Sequence, residues 1–99
     1  MILKKTKFKG LLVIKQKNNT DKRGLLRETF NKKLLKKKFV FNYCTTSKKN
    51  VLRGFHFQTK FKQSKYVNVL KGKILDVVID LRKNSKTFGR TFSIILSSI

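Results

Sequence analysis

Apolar residues come in short bursts along this chain, each broken within a few positions by lysine, asparagine or glycine. Gly10–Ile14 (GLLVI) is the first, after a basic lead-in. Bursts this short and this rich in Leu, Val, Ile and Phe fit strands better than helices with an apolar stripe. Asn18–Gly24 (NNTDKRG) has turn chemistry, and Leu25–Phe30 reads as a second strand. Asn31 can cap one or two helical turns running to Lys38, with Leu34 and Leu35 inward. Phe39–Tyr43 and Val51–Gln58 read as strands on either side of a polar loop, Thr45–Asn50. The clearest unit is Lys65–Leu81 (KYVNVLKGKILDVVIDL), where two β-branched runs flank Lys71-Gly72. That pattern predicts a hairpin with a two-residue turn. Arg82–Gly89 is a loop and Thr91–Leu96 a last strand. The whole predicts an all-β sandwich or small barrel with at most one short helix, a single domain over residues 1–99.

The predicted hairpin has chemical consequences. A turn at Lys71-Gly72 sets Leu70 against Lys73 and Val67 against Asp76, which makes Lys65 and Asp76 diagonal neighbours on one face. That face also carries Val67, Val69, Ile74 and Val78. Either the pair sits on an apolar surface, where it needs hydrogen bonds to offset desolvation, or the face is solvated and the valines are incidental. A one-residue slip would exchange the faces. His56, the chain's one histidine, lies between Phe55 and Phe57, three residues past Arg53. Strand alternation sends Arg53 and His56 to opposite faces, unless Gly54 marks a bulge that turns both the same way. The alternative is a half-buried histidine packed between phenylalanines. A catalytic His56 here moves protons, because one histidine and one cysteine make no metal set, and neither a P-loop nor a dinucleotide fingerprint is present.

Charge changes the picture less than its size suggests. Twenty-six Lys+Arg against four acids give a net charge of +22. Such a balance usually points to a polyanion partner. Here only five of the basic residues are Arg, and the lysines are spread along the whole chain. Specific readers of phosphate and base edges rely on arginine forks. With Ala absent and Lys, Asn, Phe and Ile plentiful, the composition fits an AT-biased coding sequence, and nucleic acid is not expected as the main partner. Cys44 is alone, so no disulfide framework is expected, and it reads as a small buried residue. No apolar run approaches the length of a membrane helix, and no signal-peptide core follows the basic start, so a cytoplasmic protein is expected.

Lys49–Gln58 (KNVLRGFHFQ) resembles the signature strand of the dTDP-4-dehydrorhamnose 3,5-epimerases. Asp21-Lys22-Arg23-Gly24 resembles that family's Asp-Glu-Arg-Gly turn, Glu28-Thr29-Phe30-Asn31 its Glu-Thr/Ser-Phe-Asn segment, and Gln63-Ser64-Lys65 its Gln-Gly-Lys. Gly72–Lys83 follows the family's Gly-Glu-Val-Phe-Asp-Val-Ala-Val-Asp-Leu-Arg-Lys, and Ser85–Gly89 its Ser-Pro-Thr-Phe-Gly. The motifs come in family order, and all four acids, Asp21, Glu28, Asp76 and Asp80, fall within them.

The resemblance implies a cupin-like jelly roll, a homodimer exchanging N-terminal strands, no metal and no cofactor. It implies a dTDP-sugar substrate, dTDP-4-dehydro-6-deoxy-glucose, epimerised at C3 and C5 on the way to dTDP-L-rhamnose. By the same resemblance His56 is the proton-abstracting base, Lys65 the cation beside the developing enolate, and Asp76 the carboxylate near that lysine. Arg23 and Arg53 hold the diphosphate, and Glu28 contacts the nucleotide. Phe41-Asn42-Tyr43 stands where the family usually has Gln-Asp-Asn, which leaves Asn42 as a substrate-binding position with altered neighbours. Family members continue with further strands that carry a tyrosine acid, an aspartate orienting the histidine and a second histidine. The expectation is therefore the N-terminal part of an epimerase jelly roll, truncated at the C-terminus. A related nucleotide-sugar 3- or 5-epimerase and a non-catalytic basic remnant are the alternatives.

Overall fold

The computed structural model of the chain describes residues 1–98. It is nearly all strand with one short helix, in the order β1 (Ile2–Lys5), β2 (Leu12–Lys15), β3 (Asn18–Asp21), β4 (Gly24–Arg27), α1 (Lys32–Leu35), β5 (Lys73–Ile79) and β6 (Thr91–Ser97). The strands pair as three antiparallel two-stranded sheets, β1–β2, β3–β4 and β5–β6.

The β1–β2 turn is held by one hydroxyl. Thr6 Oγ1 accepts the Phe8 N–H at 3.1 Å and donates to the Leu11 carbonyl at 2.9 Å. That turn tucks Phe8 under the rest of the molecule. Phe8 is the one buried hydrophobic residue among those described, and its ring meets Phe92 of β6 edge-on at 6.3 Å. The core is this contact and its surroundings, so most apolar side chains keep part of their surface in water.

The stretch Asn18–Gly24 is not all turn. Asn18–Asp21 forms β3, and the reversal is confined to Lys22-Arg23 between the paired Asp21 and Gly24. Asp21 accepts the Arg23 N–H at 2.8 Å, an Asx turn that closes the reversal locally. The strand expected over Leu25–Phe30 ends at Arg27. Asn31 caps α1 as predicted: its Oδ1 accepts from the N–H groups of Lys33 and Leu34. The helix is a single turn, because Lys36 at φ 50° leaves helical geometry with its N–H on the Lys32 carbonyl. Leu34 is exposed and Leu35 only half-buried, so the inward face is weak.

The predicted Lys65–Leu81 hairpin does not form. β5 pairs with β6 instead, over seven residue pairs from Lys73↔Ser97 to Ile79↔Thr91. Gly72 extends that ladder, since its carbonyl accepts the Ser98 N–H at 3.0 Å and is not used to close a turn on residue 70. A seven-pair register joined by a compact loop outcompetes the two-residue turn. The segments expected as strands at Phe39–Tyr43 and Val51–Gln58 join no ladder. Alternation supplies a strand's side-chain pattern but not a partner, and a strand without one leaves its backbone groups to water.

Candidate active site

Asp76 has the most defined setting. It lies on β5 opposite Ile94, and its face of the β5–β6 sheet also carries Ile74, Val78, Phe92 and Leu96. It is half-buried on that apolar surface. Among the described residues no side chain donates to its carboxylate, and the two ion pairs are Arg23–Asp21 and Arg82–Asp80. The Lys65–Asp76 contact derived from the hairpin is absent, because residues 65–70 are not the partner of β5.

Lys65 precedes a residue that is anchored to distant parts of the chain. The Tyr66 hydroxyl donates to the Thr29 carbonyl at 2.7 Å and accepts from Gln16 Nε2 at 2.9 Å. Its ring lies 6.2 Å from Phe39, which meets Phe30 at 5.9 Å. Burial pushes the Tyr66 phenol above its ordinary value. This cluster joins the end of β2, the β4–α1 connection and the segment before β5. It brings Lys65 and Glu28, each adjacent in sequence to a bonded partner, into the same region. Glu28 in turn accepts from Asn31 Nδ2 at 3.1 Å, so the helix cap orients it. Sequence reasoning missed Tyr66, Gln16 and Thr29. Their signal is tertiary, since fifty residues separate Gln16 from Tyr66.

Arg53 and His56 lie on the exposed segment that joins no sheet. Arg53 is fixed from behind: Nε donates to Ser47 Oγ at 2.9 Å and Nη2 to the Thr46 carbonyl at 3.1 Å. The polar loop thus holds the guanidinium, while Nη1 has no partner among the described residues. Gly54 at φ 109° takes a backbone conformation that side chains resist, so the chain bends between Arg53 and His56. The bulge that Gly54 could have marked does not form, because a bulge needs a strand pair and none surrounds it. The His56 ring is exposed, not packed between its phenylalanines, which are exposed themselves.

Arg23 differs from a free clamp. Its Nε and Nη2 both reach Asp21 Oδ2, at 3.2 and 2.7 Å. The guanidinium holds the Asp21 carboxyl below its usual range. An incoming phosphate has to compete with that pair. Asn42 is exposed between Phe41 and Tyr43, whose rings stack at 6.1 Å and 21°. Cys44 is exposed, correcting the expectation that it is buried, because its segment has no sheet over it. Among the described residues no three of His, Cys, Asp and Glu gather in a metal-binding group. No helix among them is long and apolar enough to cross a membrane.

The fold and these side chains define part of an all-β, cupin-like domain whose candidate residues include a histidine, a lysine and a carboxylate. Comparison with known proteins identifies the family. The model of the dTDP-4-dehydrorhamnose 3,5-epimerases matches residues 5–99. The dTDP-4-dehydrorhamnose 3,5-epimerase of Methanothermobacter thermautotrophicus is 42% identical over 98 residues, covering 94% of this chain and 53% of its own length. The crystal structure of the enzyme from Bacillus anthracis, with TDP and PPi bound, superposes with a TM-score of 0.88 at 33% identity, over 98% of this chain and 59% of that one. The crystal structure of the Elizabethkingia anophelis enzyme gives 0.83 at 36%, over 99% and 57%. The chain belongs to the dTDP-4-dehydrorhamnose 3,5-epimerase family, and it spans about half the length of the curated relatives it matches.

Proposed function

We propose that this chain supplies the base-bearing half of a dTDP-4-dehydrorhamnose 3,5-epimerase site acting on dTDP-4-dehydro-6-deoxy-glucose. The observation that carries the reading is the family match over residues 5–99, which takes in every candidate site residue. The 4-keto group acidifies the hydrogens at C3 and C5. His56 takes the proton, and the carbon's electron pair moves into the ketone as an enolate. Lys65 opposes the oxyanion charge, where a cation acts most strongly out of water. Asp76, half-buried on the β5–β6 sheet, is the carboxylate that the family resemblance implies beside that lysine. Arg53, held by Ser47 and Thr46, offers Nη1 to the diphosphate, with Arg23, Glu28 and Asn42 as further substrate contacts. An acid outside residues 1–99 returns the proton to the opposite face. The working form is a homodimer.

Deuterium wash-in tests this. The protein is incubated with substrate in D2O, and loss of the C3 and C5 proton signals is followed by NMR. Exchange should fall by about a hundredfold or more in His56→Ala. Exchange by a folded protein that is indifferent to His56→Ala would remove the histidine from the mechanism. A second reading rests on Phe41 and Tyr43. Their stacked rings present an apolar surface beside Asn42, which suits a related nucleotide-sugar 3- or 5-epimerase of altered specificity.

A further inference from the structure

A cleft of about 610 Å³ opens between the β1–β2 turn and the β5–β6 connection, and none of the candidate active-site residues lines it. Its two walls are braced against each other. Arg82 Nη1 donates to the Lys9 carbonyl at 2.7 Å, while Nε and Nη2 of the same guanidinium clamp Asp80 at 2.9 and 3.0 Å. Ser85 Oγ and Thr87 Oγ1 both turn inward, each donating to Asp80 Oδ2 at 2.6 Å. One buried carboxylate therefore organises the whole connection and is hidden from the cleft, its side chain being 2% exposed.

What remains facing the cleft is cationic. Lys7 and Lys9 come from the turn and Lys86 from the connection, with the Asn84 amide beside them. Among the described residues none of these lysines has a carboxylate partner. Lys7 Nζ lies over the Phe8 ring, 5.6 Å from its centroid. A second lysine cluster, Lys32, Lys36, Lys37 and Lys38, also borders a hollow, but all four come from the single turn of α1 and the residues after it. Only the first cleft draws its lysines from two elements braced against each other. Its volume is in the range of small-ligand sites.

We propose that this cleft is an anion site for a phosphoanhydride, a diphosphate or triphosphate group, separate from the substrate site. Three ammonium groups suit a multiply charged anion as point charges, and the Asn84 amide adds a neutral donor. A free inorganic anion and the phosphates of a nucleotide share this chemistry.

The test is calorimetric titration with pyrophosphate at about 0.15 M salt, with backbone amide shifts mapped by NMR. Lys7→Gln/Lys86→Gln should weaken binding by about tenfold or more. Lys37→Gln/Lys38→Gln removes the same net charge elsewhere and should change it by less than about twofold. Amides of Asn84–Thr87 should shift. Equal losses in the two double variants would mean the general field of the protein alone holds the anion, and would overturn the site. So would shifts confined to Arg53–His56, or no measurable heat. A parallel titration with dTDP separates the sources. Shifts at Asn84–Thr87 as large as those from pyrophosphate identify a nucleotide, and shifts with pyrophosphate alone identify the free anion. The test reads binding outside the substrate site, so failure of the epimerase reading leaves it intact.

Discussion

Asp80 shows what one residue does in so thin a core. It takes two guanidinium contacts and two hydroxyl contacts, and the backbone N–H of Arg82 adds a third kind of donor at 3.0 Å. The Arg82 guanidinium first, then Ser85 and Thr87, hold its carboxyl far below the usual carboxylate range. A depressed carboxyl contributes stability that is present above its unfolded value, about 3.9, and lost as pH falls through the folded one. The denaturant midpoint should therefore hold steady above about pH 5 and decline below about pH 4. In Asp80→Asn the midpoint should be lower at neutral pH and the acid decline shallower; an unchanged acid slope would mean other groups set it. Phe8→Ala removes the buried ring and its contact with Phe92, and should cost about 3 kcal/mol, read as loss of protected amides in β5 and β6. The Asp80-Leu81-Arg82 sequence is plain in the chain, but nothing local says that Ser85 and Thr87 turn back to the same carboxylate.

All three pairings join strands that are consecutive along the chain. The β3–β4 reversal is the clearest case, because Asp21 bonds both the Arg23 N–H and its side chain, and Gly24 at φ 132° completes the turn. A Cβ at Gly24 would meet nothing within 4 Å, so its cost is backbone strain alone. Gly24→Ala should destabilise the hairpin by about 1 kcal/mol, seen as weaker cross-strand NOEs between Asn19 and Leu26. Tyr66→Phe deletes the bridge to Thr29 and Gln16 at a cost of about 1 kcal/mol or less, since the hydroxyl is partly wet. If that bridge positions Lys65, the variant should also slow deuterium wash-in while leaving the fold's spectrum unchanged. The Lys65–Leu81 reading failed for a definite reason. Two β-branched runs around Lys71-Gly72 satisfy the rule for a hairpin, yet so does Ile74–Ile79 against Phe92–Leu96, and the ladder that Gly72 joins is the longer one.

At the scale of the molecule, every sheet has two strands, so each strand keeps an open edge. Val40, Phe41, Tyr43, Leu52, Phe55, Phe57 and Phe61 are all exposed large hydrophobics, a large amount of apolar surface to leave in water. Opposing association is the charge of +22, with only two ion pairs among the described residues. Raising salt from about 0.1 M to about 1 M shortens the screening length from about 10 Å to about 3 Å. Sedimentation should accordingly show a rising mass with salt, consistent with the proposed homodimer. A monomer at both concentrations would mean that the exposed face does not pair with itself.

The sequence by itself determined the class of fold, the family and the inventory of candidate chemistry. Short apolar bursts, turn residues and ordered motifs act over a few positions, and local sterics and hydrogen bonding suffice to express them. The Asn31 cap and the mostly strand architecture follow at that range. Only the tertiary structure decided which strand pairs with which, that Asp76 sits half-buried without an ion pair among the described residues, and that Tyr66 reaches Gln16 and Thr29. It also decided that Arg53 is braced by the Thr46-Ser47 loop, and that Asp80 gathers Arg82, Ser85 and Thr87 beneath a lysine-lined cleft. Those outcomes depend on competition between registers and on contacts between distant segments, where the free energy of one pairing is set against another and no local pattern records the winner.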